Sequence, residues 1–151
     1  MANTQAMTTS FKNEILQAYH NFGTTVTRGS TAADTFKAAL YYTTASLDAS
    51  TTAYSSTGEV VGTNYSAGGV VVTNATAPTT SGTTAYWTPS ASLTYTNVTI
   101  STAFDSVLIY NSTQSNRAVS VHTFGSQTVT AGTFTLTMPS NAAGTALLNI
   151  A

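Results

Sequence analysis

The stretch at residues 104–138 constrains the fold of this chain most, because it contains three strand-like runs separated by short polar breaks. The run at residues 107–110 is continuously apolar, which is typical of a strand buried on both faces. The last run alternates apolar residues with threonine, and this predicts that Phe134, Leu136 and Met138 face a core. A sheet needs about three strands to be stable on its own. The stretch therefore predicts an independent antiparallel sheet.

The rest of the chain continues the pattern of short strands. Further strand-like runs lie at residues 35–42, 59–61, 69–73, 86–87, 93–100 and 146–150. In the run before residue 101, the apolar residues change faces near Asn97, which predicts a β-bulge, and the Pro- and Gly-containing residues 74–84 predict a loop. Strands separated by turns and not by crossover helices are typical of antiparallel folds. We therefore expect a mainly β chain, an antiparallel β-sandwich or jelly-roll-like domain with one N-terminal α-helix.

The helix is predicted to follow a flexible polar arm at residues 1–9. Ser10 is a candidate N-cap and Gly23 a candidate C-terminal stop. Between them, five apolar residues share one helical face: Phe11, Ile15, Leu16, Tyr19 and Phe22. Because a helix this short does not persist alone in water, it must dock on its own sheet or on a neighbouring subunit. We divide the chain into an N-terminal arm and helix at residues 1–23 and a β-sandwich at residues 24–151, which together form a single compact domain.

The chain is poor in charge. Four Lys or Arg and five Asp or Glu make up 6% of its 151 residues, against roughly a quarter in ordinary domains. Its polar surface must therefore be mainly Thr, Ser, Asn and Gln, which suits a protein that packs against others in an assembly. A secreted β domain of low charge is the alternative, although the polar N-terminus predicts no secretory signal peptide. The absence of a basic cluster predicts no nucleic-acid partner, and no apolar run is long enough to predict a membrane span.

No pattern of residues predicts catalysis or a cofactor. The five carboxylates lie in no catalytic motif, and the only two histidines are His20 and His122, in a chain without cysteine. Two imidazoles could hold a metal only with help from carboxylates, so no metal site is expected. The chain also lacks a nucleophile elbow and a phosphate-binding loop. We expect no enzymatic activity, and we expect Asp105 to accept a hydrogen bond from Arg117 across a hairpin.

The aromatic residues are the remaining candidates for contact with a partner. Rings on a β-sandwich can stack on sugars, so a glycan-binding module is one hypothesis. More often, such rings lie in the core or anchor a subunit interface. The predicted partner interface combines the helical face with one aromatic pair: Phe11, Ile15, Leu16, Tyr19, Tyr86 and Trp87.

Several tracts of the chain resemble a known family. They lie at residues 39–48, which read ALYYTTASLD, and at residues 54–69 and 108–125. Residues 10–12 with Glu14, residues 134–139 and residues 149–151 fit the same pattern. In these tracts the chain resembles small virion structural proteins of tailed bacteriophages, which are capsid decoration or tail-fibre-like proteins. The resemblance covers nearly the whole chain, but its motifs belong to the scaffold and identify no functional site.

The resemblance implies a non-enzymatic virion component that is assembled in the host bacterial cytoplasm and needs no cofactor. Its implied partners are other virion proteins, either the major capsid protein or tail proteins, and a homo-oligomer is expected. Capsid decoration is our first interpretation, because a compact domain without a fibre shaft suits a cement protein present in many copies. A tail, baseplate or fibre-associated protein is the second, and a glycan-binding host-recognition module is the third.

Overall fold

The computed structural model describes residues 3–16, 19–22, 33–73 and 77–150. They form a mainly β fold that is consistent with a β-sandwich, with one short N-terminal helix, as predicted. The elements are β1 (Ala6–Met7), α1 (Thr9–Leu16), β2 (Phe36–Tyr42), β3 (Val70–Val71), β4 (Thr79–Ser81), β5 (Thr84–Trp87), β6 (Leu93–Asn111), β7 (Arg117–Leu136) and β8 (Leu148–Ile150). Within this part of the chain, all strand pairs are antiparallel, in one sheet of order β1-β7-β6-β2-β3 and another of order β4-β5-β8.

Two long strands, β6 and β7, form the centre of the fold. They pair from Leu93 opposite Leu136 to Asn111 opposite Arg117. The polar turn predicted at residues 111–116 is confirmed as the turn between β6 and β7. The predicted breaks near residues 101–103 and 126–132 are wrong, because the runs on either side of each are halves of one continuous strand. Those breaks are rich in Thr, Ser and Gly, a composition that favours turns, but here the residues continue the pairing through several register shifts.

The ribbon formed by β6 and β7 bends back on itself. The ring centroids of Phe124 and Phe134 lie 5.4 Å apart, although a straight strand of that length would span about 33 Å. Phe104 on β6 contacts both rings, with centroid distances of 5.9 and 5.0 Å. The bend coincides with register shifts in which one strand has extra residues, and such bulges increase bending and twist. The two halves of the ribbon thus enclose part of the core.

The bulge predicted near Asn97 is confirmed. The register shifts between Tyr95 and Val98, and Asn97 has a positive φ of 52°, a conformation that asparagine adopts more readily than most residues. The extra residue lets Tyr95, Val98 and Ile100 all point inward although their sequence parity differs. All three are at most 2% exposed.

The apolar run at residues 107–110 is buried on both faces, as predicted. Val107 and Ile109 belong to the main core, whereas Leu108 and Tyr110 belong to a second cluster on the opposite face. The loop that follows β2 covers this second face. The centre of β6 therefore lies in the interior of the fold.

The alternation at the end of β7 is confirmed, but burial there is partial. Phe134, Leu136 and Met138 are half-buried and pack against the edge of the main core, while the threonines between them are exposed. Apolar surface therefore remains accessible along this strand.

Replacing Leu136 with alanine should lower the free energy of unfolding by about 1–2 kcal/mol, because only part of its side chain leaves water on folding. Leu108→Ala is the matched control, since Leu108 is 0% exposed and full burial makes about 2–5 kcal/mol the expected loss. Urea denaturation of both variants measures the difference. Equal losses would show that the end of β7 is part of the deep core.

The N-terminal segment is fixed from Asn3 onward, so the predicted flexible arm is wrong for its described part. The Asn3 side-chain amide donates to Asp105 at 2.7 Å and its oxygen accepts from the Leu47 backbone at 3.0 Å, while β1 pairs with β7. Arg117 lies opposite Asn111 at the other end of the paired region. The predicted hydrogen bond between Asp105 and Arg117 is therefore also wrong.

Helix α1 begins at Thr9, because Thr8 and not Ser10 caps it. The Thr8 hydroxyl accepts a hydrogen bond from the backbone N–H of Phe11 at 3.3 Å, as an N-cap side chain does. Thr8 is also fully buried against β7, where its hydroxyl lies 3.2 Å from the carbonyl oxygen of Ala118. The helix thus docks on its own sheet.

The helix also ends earlier than predicted. Tyr19 and Phe22 lie in non-helical backbone beyond α1, and the predicted stop at Gly23 lies outside the described residues. The backbone N–H of Asn21 donates to the carboxylate of Asp34 at 3.1 Å. This long-range contact joins the segment after α1 to the residues just before β2.

The remaining differences concern short strands. The strand predicted at residues 59–61 is wrong, because Glu59 forms only an isolated bridge with Tyr41. Strand β4 lies where a loop is predicted, and Gly82, with a φ of 57°, makes the tight turn between β4 and β5. The other predicted short strands are confirmed as β2, β3, β5 and β8, with shifted ends.

Candidate assembly surface

An apolar cleft of about 140 Å³ lies between helix α1 and the sheet of β4, β5 and β8. It is lined by Phe11, Ile15, His20, Phe22, Pro78, Ala85, Tyr86, Trp87, Leu148 and Ile150. Four of the six residues predicted to form a partner interface meet here, although they come from two distant parts of the sequence.

The lining residues differ in how much surface they offer to a partner. Phe11 and Trp87 are 1% and 2% exposed, so they form the floor of the cleft as members of the main core. Ile15 and Tyr86 are half-buried, and Ile150 is 47% exposed. An approaching side chain would therefore contact mainly the rim.

Of the other two predicted interface residues, Tyr19 is not part of the cleft lining. Tyr19 is 38% exposed, and the guanidinium carbon of Arg117 lies 4.4 Å from its ring centroid, which is a cation–π geometry. The side chain of Leu16 lies outside the described part of the structure.

A set of packed aromatic rings holds the floor of the cleft in place. The Phe22 ring centroid lies 4.4 Å from that of Phe36 and 4.7 Å from that of Trp87. The ring of Phe11 meets that of His20 edge-on at 4.8 Å. Aromatic pairs contribute about 0.5–1.5 kcal/mol each beyond the burial of their area, so the shape of the cleft is pre-formed.

A hydrogen-bonded network around Asp34 lies next to this aromatic set. The Asp34 carboxylate accepts from the side-chain amide of Asn111 at 2.7 Å and from that of Gln114 at 3.1 Å. His20 Nδ1 lies 3.1 Å from the same Asn111 amide nitrogen. Within the described ranges, no group of three or more His, Cys, Asp or Glu residues could hold a metal ion. The network therefore serves to join the segment after α1 to the turn between β6 and β7.

A second buried carboxylate, Glu59, organises the loop that leads to β3. Its Oε1 accepts from the Tyr65 hydroxyl at 2.8 Å and from the Gly68 N–H at 2.7 Å, and its Oε2 accepts from the Tyr54 hydroxyl at 2.6 Å. The Tyr110 hydroxyl donates to the Gly68 carbonyl at 2.8 Å. No sequence motif indicates this role for Glu59. Only the nearby tyrosines, Tyr54 and Tyr65, suggest that its carboxylate has hydrogen-bond donors around it.

These tyrosines offer no proton transfer near neutral pH. Burial and the nearby charge of Glu59 raise the pKa of Tyr65 and raise that of Tyr110 to about 12. Burial also raises the pKa of Tyr54, which donates its proton to Glu59 in a hydrogen bond. The cluster is therefore a structural hydrogen-bond site.

His122 lines a separate apolar cleft of about 250 Å³, together with Leu93, Phe124, Leu136 and other residues. Its Nε2 lies 2.9 Å from the Ser120 hydroxyl. Burial lowers the pKa of His122 to about 4, so the imidazole is neutral at pH 7.

Folding stability should consequently fall on acidification between pH 6.5 and about 4, the ordinary and the folded pKa of His122. In this window the unfolded chain binds a proton that the folded chain excludes, so the stability that is fully present above pH 6.5 is lost progressively. The contribution is up to about 3 kcal/mol. Urea denaturation at pH 7 and pH 4.5 measures the loss, and His122→Gln should reduce it because glutamine does not titrate. An identical pH dependence in both proteins would contradict the assignment.

Charge is absent from two long stretches, residues 60–104 and 118–151. They supply the whole of the β4-β5-β8 sheet, the first half of β6 and all but the first residue of β7. The exposed positions on the outer half of the ribbon carry hydroxyls, among them Thr94, Thr96, Thr128, Thr130, Thr133 and Thr135. The side of the cleft formed by β5 and β8 thus belongs to an uncharged part of the chain.

Comparison of the chain with protein-family models, curated proteins and solved structures finds no match. In the described ranges, no helix has the length and hydropathy needed to cross a membrane.

Proposed function

We propose that this chain is a non-enzymatic structural component of a tailed bacteriophage particle, and that it decorates the capsid exterior as a cement protein. The observation that carries the proposal is the absence of charge from residues 60–104 and 118–151, where exposed positions of the β6–β7 ribbon carry hydroxyls. Neutral hydroxyls cost far less to bury than charges do. Such a surface suits a protein that is held against other subunits.

The polar clusters support a structural role. Glu59 and Asp34 each accept several hydrogen bonds from neutral donors, and His122 is neutral at pH 7 because burial lowers its pKa to about 4. Catalytic groups need pKa values and geometry matched to proton transfer. The arrangement of these side chains is explained by folding alone.

The apolar cleft beside α1 supplies a contact for the partner. Its rim combines the half-buried Ile15 and Tyr86 with the exposed Ile150, and apolar pockets with aromatic walls are typical anchor sites at protein interfaces. The proposed occupant is an apolar side chain of the major capsid protein, and copies of the chain are proposed to contact one another on the shell.

Two alternative functions are compatible with the same fold. A tail, baseplate or fibre-associated position is equally compatible with a neutral surface and differs in copy number. A glycan-binding module has less support, because Trp87 is only 2% exposed and the ring of Tyr19 is occupied by the guanidinium of Arg117. Sugar-stacking needs an open aromatic face.

A binding assay on particles that lack the chain tests the proposal. Purified chain is added to particles from a phage with its coding sequence deleted, and bound protein is measured after sedimentation. We expect saturable binding. Ile150→Asp, which places a charge on the rim of the cleft, should weaken binding about tenfold or more, equivalent to about 1.4 kcal/mol.

Val71→Asp is the matched control. Val71 is 59% exposed and lies on β3, at the edge of the other sheet, so the same change of charge should leave binding unaffected. Failure of the wild-type chain to bind would overturn the proposal. Equal weakening by both variants would exclude the cleft as the contact.

A further inference from the structure

The last part of β7 presents an open edge. On one side β7 pairs with β6 as far as Leu136. On its other side, the only strand pairing in the described ranges is with β1, opposite Ser120 and Val121. A strand edge without a neighbour exposes backbone donors and acceptors that can pair with another strand.

This edge lacks the features that usually prevent such pairing. Residues 133–137 contain no charged residue and no proline, whereas natural edges commonly carry Lys, Pro or a bulge. Phe134, Thr135 and Leu136 pair in regular order with Tyr95, Thr94 and Leu93, and the nearest register shift lies between Phe134 and Gly132. The end of β7 is therefore a regular strand from Phe134 to Leu136, and its outer edge is available for pairing.

The sequence of the segment, Thr-Phe-Thr-Leu-Thr, is complementary to itself. In an antiparallel pair centred on Thr135, each Phe134 lies opposite a Leu136 of the second copy, and the flanking threonines face threonines. Apolar residues thus meet on one face and hydroxyls on the other, and cross-strand pairs of both kinds are favourable. No like charges are brought together.

The partial burial of two apolar side chains is an independent reason to expect a partner strand at this edge. Phe134 and Leu136 are half-buried against the core edge in the isolated chain. A second copy continues their apolar face across the new strand pair and removes more of their surface from water. A charged partner strand would not bury comparable apolar surface, and this neutral edge offers it no opposite charge.

We infer that residues 133–137 pair with the same residues of a second copy, antiparallel and about a two-fold axis at Thr135. The result is a homodimer in which the sheet continues from one copy into the other. This contact is separate from the cleft beside α1, and it does not depend on the particle to which the chain belongs.

Cysteine cross-linking of the purified full-length chain tests the pairing. The chain has no cysteine, so Thr135→Cys introduces a single thiol. Directly opposite residues have Cβ atoms about 4.5–5.5 Å apart. A small shift of the backbone brings them to the Cβ–Cβ distance that a disulfide needs. We expect a disulfide-linked dimer on mild oxidation.

Thr94→Cys is the matched control, because Thr94 is exposed and lies beside Thr135 one strand further in. Its counterpart in the dimer would be three strand spacings away, about 14 Å, beyond the reach of a disulfide. Equally rapid cross-linking of both variants would overturn the inference, as would a wild-type chain that sediments as a monomer at every concentration tested.

Charge substitutions distinguish a lost contact from a lost fold. Thr135→Lys and Thr135→Glu each place like charges opposite one another, so each alone should weaken dimerisation about two- to fivefold. An equal mixture of the two should restore it through opposite charges. A mixture that dimerises no better than either variant alone would count against this register. Because the assay uses the purified chain alone, its outcome is separable from the particle-binding result.

Discussion

Replacing Gly69 with alanine is expected to lower the free energy of unfolding by at least about 4 kcal/mol, or to prevent folding altogether. Gly69 has a φ of 72°, and a Cβ atom built on it would overlap the carbonyl oxygen and carbon of Ala38. The two contacts are backbone atoms of strand β2, so no side-chain rotation relieves the overlap. Urea denaturation followed by circular dichroism measures the effect.

Gly82→Ala separates the overlap from the backbone conformation. Gly82 also has a positive φ, of 57°, but a Cβ atom there meets nothing within 4 Å. Its expected loss is only about 1 kcal/mol, from the left-handed backbone alone. If both variants lost the same stability, the result would contradict the close packing of Gly69 against the Ala38 backbone of β2.

Replacing Glu59 with alanine is expected to cost about 3–5 kcal/mol. The substitution leaves the hydroxyls of Tyr54 and Tyr65 and the N–H of Gly68 without their acceptor, and each buried unpaired donor costs about 1–3 kcal/mol. The penalties are not fully additive, because the loop can shift to admit water. Thermal and urea denaturation give the loss.

Glu59→Gln and Asp48→Ala serve as controls for this prediction. Glutamine keeps one acceptor oxygen but places an NH₂ group among donors, so an intermediate loss is expected. Asp48 is exposed, and among the interactions described its carboxylate bonds only to Ser50. Its backbone bonds to Thr51 remain in the alanine variant, so the substitution should change stability little. A Glu59→Ala protein as stable as Asp48→Ala would show that the loop is not held by this carboxylate.

Residue patterns predicted the parts of the fold that local periodicity controls. The continuous apolar run at residues 107–110, the change of face at Asn97 and the alternation ending at Met138 all correspond to observed burial. These features depend on which side of a strand each residue faces, and strand geometry fixes that locally.

The errors arose where long-range contacts override local preference. Thr- and Ser-rich segments that favour turns continue the β6–β7 ribbon, because the bend buries Phe104 against Phe124 and Phe134. Tyr19 and Phe22 fit the apolar face of the predicted helix but lie in non-helical backbone, where Asn21 bonds to Asp34, a distant partner that the sequence does not indicate.

The candidate surface was predictable only in part. The apolar helical face and the pair at Tyr86 and Trp87 stand out by residue type, and the fold brings them to one cleft. Their division into a buried floor and an accessible rim depends on the packing of Phe22 against Phe36 and Trp87. That packing comes from three separate segments, so no sequence spacing indicates it.

Imaging of the intact particle by electron cryomicroscopy tests the central proposal most directly. We predict density for the bent β6–β7 ribbon on the capsid exterior, repeated hundreds of times per particle. A small number of copies, in a multiple of three or six on the tail, would contradict decoration and select the tail placement. Purified particles that contain no copy of the chain would contradict the proposal that it is a virion component.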